Sequence, residues 1–211
     1  MKSLLDKYIT DGFGENGDQS FYELDMPEQD AIFAQIRAYA NANKTRFIQE
    51  VRTFDLQEEL SPLPLVYEAI AKDSDNWSDF YVDEIKRVLD FSLTTDNPKG
   101  VLDNLNELVF NLDTADAPHI RKIMDMLGQA VEATNATVRR EAIFLVSGIL
   151  NSDNLKQYHA LVSSITARLH DPAWRVRYTA YLALTDANAL PAGFKLSLLD
   201  RLRWKYLNPF K

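Results

Sequence analysis

Apolar residues return at intervals of three and four along most of this 211-residue chain, the spacing of helices that each turn one face inward. In the stretch DPAWRVRYTAYLAL (171–184), Val176, Ala180, Ala183 and Leu184 share such a face, and Ala187 continues it. A helix start is written ahead of them. Asp171 can cap the free N–H groups of a first turn, and Pro172 suits a first helical position, where its missing donor costs nothing. Moving back 38 residues gives the same face again: Val138, Ala142, Leu145, Val146 and Ile149, with Arg139 in the place of Arg177.

The helix ahead of each segment repeats as well. Tyr158, Leu161, Val162, Ile165 and Leu169 align at that offset with Ile120, Ile123, Met124, Leu127 and Val131. A further step reaches Val82, Ile85, Lys86, Leu89 and Leu93, and another brings Phe47, Ile48 and Val51 into register. Among the partner helices, Leu105 and Leu108 align with Ile143 and Val146, with Tyr67 and Ile70 one copy earlier. A helix pair repeating at a fixed period is the pattern of an α-solenoid. The predicted fold is therefore all-α, a right-handed α–α superhelix of about five helix pairs. Residues 27–41 form an N-terminal capping helix with Ile32, Phe33, Ile36 and Tyr39 or Ala40 inward, and residues 194–207 a final one with Leu198, Leu199 and Leu202 as its apolar side. Residues 1–26 read as a short helix and a glycine-containing loop, and 27–211 as one repeat domain.

DPAWRVRYTAYLAL and NATVRREAIFLVSGIL resemble HEAT repeats, whose second helix carries Asp-Pro or a similar cap, then Val-Arg, then Ala and Leu. The resemblance covers roughly residues 44–193. In the earlier copy DNPKGVLDNLNELV a cap-like Asp96 and Pro98 remain, but Val101 stands where the Arg belongs. The resemblance implies a ladder in which Arg139 and Arg177 pair with capping aspartates of the same or a neighbouring copy, Asp171 among them. It speaks for architecture and not for chemistry.

Composition narrows the function classes. With 46% hydrophobic and 26% charged residues, the chain has ordinary globular values, which argues against disorder. No cysteine is present, so disulfides, thiolate metal sites and Cys nucleophiles are excluded. No apolar run reaches the ~18 residues of a membrane span, and the N-terminal MKSLLDKYIT is interrupted by Asp6 and Lys7 before a signal-peptide core can form. The expectation is a soluble, cytoplasmic protein. The net charge of −8 is uneven, −10 over residues 1–100 and +2 over 101–211. An acidic surface repels phosphate backbones and disfavours nucleic acid as a partner.

Catalytic and metal motifs are missing. Gly12, Gly14 and Gly17 lie in DGFGENGDQS without a following Gly-Lys-Ser/Thr and among acids, so they mark a loop and not a phosphate cradle. His159 and His170 stand ~16 Å apart on a helix at 1.5 Å per residue, too far to share a metal ion, and His119 sits near a helix start. Glu58 and Glu59 precede a Ser-Pro turn, where a solvated loop accounts for them. The C-terminal DRLRWKYLNPFK interleaves basic and aromatic residues, a mixture that suits a base-stacking or membrane-surface segment as well as a helix end that complements its own dipole. No cofactor or metal is expected.

Two function classes remain. If the repeated apolar faces point inward, the second helices turn Asp103, Asn106, Glu107 and Phe110, then Arg140, Glu141 and Phe144, then Arg175, Tyr178 and Thr179 toward a concave groove. Aromatic and Arg residues anchor protein interfaces, and carboxylates beside them select a partner with positive charge. The leading expectation is a non-catalytic interaction protein, an adaptor or an inhibitor of the immunity type, which binds a protein partner with a basic surface along that groove. Homo-oligomerisation stays open. The alternative is an enzyme: Asp75-Asn-Trp-Ser-Asp-Phe-Tyr-Val-Asp83 resembles the Trp and Asp context of HEAT-like alkylpurine DNA glycosylases, which implies base contacts by Trp77 and by Asp79 or Asp83. Asp79 also suits the N-cap of a helix beginning near Phe80.

Overall fold

The computed structural model describes residue 21 and residues 24–57, 62–71, 74–110 and 118–207. Among them every regular element is helical and no strand occurs. No helix of the described residues is long and apolar enough to cross a membrane. The N-terminal loop with its three glycines and the Glu58–Glu59 pair lie outside the described residues. The chain divides into two compact units, residues 1–88 with 100–113 and residues 89–99 with 114–211.

The first unit opens with α1 (Met26–Ala42), whose start is fixed by a reciprocal cap. Asp25 accepts from the Glu28 N–H at 3.0 Å while the Glu28 carboxylate accepts from the Asp25 N–H, satisfying two donors that a helix start leaves open. Ile32, Phe33, Ile36 and Ala40 are buried as the spacing predicts. Tyr39 is half-exposed and donates to Glu50 at 3.0 Å. Next come α2 (Lys44–Val51), α3 (Leu63–Ala71) and α4 (Ser74–Ser92). Helix α1 packs on both α2 and α3, and Arg37 donates to the Ala69 carbonyl at 3.1 Å. Phe47, Trp77 and Phe80 meet edge to face or tilted at 5.2 to 6.2 Å and bind α2 to α4. Tyr67 of α3 joins Phe80 at 6.4 Å.

The copy DNPKGVLDNLNELV, aligned with a second helix of the repeat, holds two: α5 (Pro98–Asp103) and α6 (Asn106–Phe110). Asn104 causes the break. Its buried amide donates to the carbonyls of Gly100, Val101 and Leu56 at 3.1 to 3.3 Å, competing for acceptors that a continuous helix needs. Leu105 and Leu108 remain buried, and α6 packs on α3. Two expectations for α4 fail. Leu93 is 57% exposed beyond its C-terminal end, and Asp79 lies inside the helix and not at its start.

The second unit holds α7 (Pro118–Val131), α8 (Ala136–Ser147), α9 (His159–Ala167), a 3-10 turn at Arg168–His170, α10 (Trp174–Asp186) and α11 (Leu198–Leu207). Helix α7 pairs with α8, and α9 with α10. The pairs then align like with like: α7 lies against α9, and α8 against α10. All five predicted apolar positions are buried in each of α7, α8 and α10 together with the residues just past their ends, while in α9 Val162 is half-exposed. Helix α10 closes on Asn188, whose φ of 58° is left-handed. The Asn188 N–H donates to the Thr185 carbonyl and the Ala189 N–H to that of Leu184, a terminal turn that satisfies two free acceptors.

Both ends of the repeated motif depart from expectation. Helix α10 begins at Trp174, so Pro172 precedes it, and Asp171 serves the Ala173 N–H at 2.9 Å from outside the helix. Helix α11 docks by its polar side. Asp200 is buried and Trp204 stacks on Tyr178, whereas Leu198, Leu199 and Leu202 are 65%, 56% and 42% exposed. The reason lies in α10: Arg177 draws the carboxylate inward and turns the leucines out.

Candidate functional site

The most ordered chemistry of the second unit is a pair of arginine clamps. The Arg139 guanidinium donates to both Asp171 oxygens at 2.8 and 2.9 Å, and its remaining Nη donates to the carbonyls of Ala133 and Thr134 at 2.8 and 2.7 Å. Arg177 does the same one copy later, to both Asp200 oxygens at 2.8 and 2.6 Å and to the carbonyls of Asp171 and Pro172 at 2.6 and 3.0 Å. Each clamp thus closes the loop before its own helix and reaches forward to the next acid. Planar two-point binding of this kind is what a guanidinium offers and a lysine does not. Burial alone raises the Asp171 carboxyl, but the hydrogen bonds from Arg139 and the Ala173 N–H outweigh it and hold the group below the ordinary aspartate range. The hydrogen bond from Arg177 is the largest influence on Asp200 and lowers it. With their donors engaged in this way, both arginines have a structural role.

The first unit has a buried acid of its own. Glu84 of α4 is fully buried, accepts from the Tyr67 hydroxyl at 2.8 Å and from Arg87 at 2.8 to 3.2 Å, and lies 3.5 Å from Arg52. Burial and the facing carboxylate together push the Tyr67 phenol well above its ordinary value. Sequence periodicity has no place for Glu84, because it falls on the apolar face of its helix.

The expected groove residues divide between the units. Asp103 and Asn106 belong to the first and are half-exposed, and the side chains of Glu107 and Phe110 lie outside the described residues. In the second unit Arg140 is half-exposed, Phe144 is 43% exposed and Arg175 is exposed. A depression of about 140 Å³ between the starts of α8 and α10 brings Arg140 and Thr137 together with Trp174 and Arg175. The Arg175 guanidinium stands 5.5 Å from the centre of the Trp174 ring. Glu141 is not on this surface: it is 7% exposed and ion-paired with Arg140. Tyr178 is half-buried, its ring stacked at 4.0 Å and 14° on Trp204, and Thr179 bonds back to the Arg175 carbonyl. Neither Trp174 nor Trp204 belongs to the expected set, although each sits beside a basic residue in the sequence.

Trp77 is 1% exposed, lies in the aromatic core of the first unit, and donates its indole N–H to Asn41 at 3.0 Å. It has no face left for a base. Asp83 is well exposed and 3.6 Å from Arg52, and Asp79 is exposed. Among the described residues no three His, Asp or Glu side chains come together to hold a metal ion. No protein-family model, curated protein or solved structure matches this chain.

Proposed function

We propose that the chain is a non-catalytic interaction protein of the HEAT-like repeat type, which binds a protein partner along the outward side of α8 and α10. One observation carries the proposal: two helix hairpins lie side by side, like helix against like, joined by the Arg139–Asp171 clamp, with Phe144, Trp174 and Arg175 on the outward side. Stacked hairpins hold their second helices as a stiff ribbon, and a ribbon suits recognition of another chain. Exposed aromatic and Arg side chains are the usual anchors of such contacts. Arg140 is already paired with Glu141, so the open cation of this surface is Arg175, beside the Trp174 ring. The partner segment therefore brings a carboxylate to Arg175, instead of the basic surface that the acidic composition suggests.

The glycosylase alternative has no observation in its favour, since its base-contacting tryptophan is a core residue. The test is site-specific photocrosslinking from position 144 in the source cells, with and without Arg175→Glu. The expected result is one dominant protein adduct that disappears in the variant while the thermal melt is unchanged, since Arg175 is exposed. An adduct to nucleic acid, or protein adducts indifferent to the charge reversal, would overturn the proposal.

A further inference from the structure

Helix α11 has an outward face of its own, separate from that of α8 and α10. Leu198, Leu199, Leu202, Tyr206 and Leu207 are 65%, 56%, 42%, 70% and 60% exposed, all within one helix of ten residues. At about 100° per residue, Leu198 and Leu202 stand opposite Asp200, the residue by which the helix is docked, and Tyr206 and Leu199 widen their stripe on one side. Arg201 and Lys205 border the other side and are exposed. The helix carries a single acid, Asp200, which is buried in the Arg177 clamp. Lys195, just ahead of the helix, is exposed too. Within residues 195–207 every exposed ionic group is therefore a cation, in a chain whose net charge is −8.

We propose that α11 lies on anionic lipid surfaces, Leu198, Leu199, Leu202 and Tyr206 entering the headgroup boundary and Arg201, Lys205 and Lys195 meeting the lipid phosphates and carboxylates. A half-docked helix presents only its outward arc, and a plane engages that arc along its whole length. Apolar residues on one arc with Lys and Arg along its border are the pattern of helices that rest in a membrane interface. The charges decide against a second copy of the chain: antiparallel pairing of two α11 stripes sets Arg201 and Lys205 of one against the same residues of the other, and like charges repel. The acidic remainder of the chain is screened beyond about 8 Å at physiological salt, while cations at the contact are not.

The test is co-sedimentation of the full chain with vesicles of phosphatidylcholine containing roughly one third phosphatidylserine, and with phosphatidylcholine alone. Binding is expected to the anionic vesicles, to fall at high salt, and to be weak on neutral ones. Leu198→Ser with Leu202→Ser should abolish it. Arg201→Gln with Lys205→Gln should weaken it up to about thirtyfold, since each substitution takes one cation from the lipid surface. All four positions are exposed, so the thermal melts should match the parent. Absence of binding to anionic vesicles overturns the proposal, as does equal binding to neutral ones. A concentration-dependent dimer in sedimentation velocity that the leucine substitutions dissolve assigns the face to a second copy, and a crosslink from position 202 to an acidic protein without vesicle binding assigns it to a protein.

Discussion

Arg139 and Asp171, 32 residues apart in the chain, meet through two parallel hydrogen bonds of 2.8 and 2.9 Å, with the carboxylate fully buried and the guanidinium 9% exposed. Removing Asp171 takes the carboxylate from a nearly buried guanidinium, and removing Arg139 leaves the buried Asp171 with Arg168, 3.5 Å away, as its cation. Asp171→Ala or Arg139→Ala should therefore cost about 3–5 kcal/mol in urea unfolding. The paired replacement Arg139→Met with Asp171→Leu should recover much of that stability, because both buried charges go together and Arg168 keeps Glu132. Strictly additive costs in this cycle would deny the coupling.

Acid should reach the clamps in a defined window. Both Asp171 and Asp200 have folded-state values below the ordinary aspartate value of about 3.9. Between the two values the unfolded chain binds more protons than the folded one, so stability rises with pH there. Their contribution is complete above the unfolded value and is lost as pH falls through the depressed folded values. Thermal melts of Asp200→Asn should start lower at neutral pH and show a flatter acid limb than the parent.

Tyr67 should show the opposite sign at high pH. Its raised phenol gives stability that is present below the unfolded value of about 10 and lost as pH climbs toward the folded one. Tyr67→Phe removes the hydroxyl that Glu84 accepts from and should cost roughly 2 kcal/mol at neutral pH. The variant should also lose part of the alkaline fall in melting temperature.

Gly128 reports on the contact between α7 and α9. A β-carbon there would stand 3.4 Å from Leu161 Cδ1, at the near edge of ordinary contact. Gly128→Ala should be neutral or stabilising by up to about 1 kcal/mol, since alanine is the better helix former. Gly128→Leu should destabilise by about 1–3 kcal/mol through overpacking. Equal melts for all three would mean that the two helices do not touch at this level.

Much of the second unit was legible because burial there follows helical period alone. Val138, Ala142, Leu145 and Val146, with their equivalents Val176, Ala180, Ala183 and Leu184, are buried as their spacing requires. What period cannot carry is a polar side chain whose partner is distant. Asn104 breaks a helix partly for the Leu56 carbonyl, Glu84 lies on an apolar face because Tyr67, Arg87 and Arg52 are there, and Asp200 is buried because Arg177 waits for it. Each outcome depends on a residue well away in the chain. In the candidate surface, Arg140 and Arg175 converge at the starts of adjacent helices, while Glu141 is buried and paired with Arg140, its neighbour in the chain.

The arginine clamps share one direction. Arg139 and Arg177 each grip the carbonyls behind them and an acid ahead, so every rung is completed by a carboxylate nearer the C-terminus. Trimming the protein from its C-terminus at Leu198 would strip Arg177 of its acid and leave the Arg139 rung whole. Unravelling should begin at that tail and travel backwards, rung by rung, as a zip opens from its unfastened end.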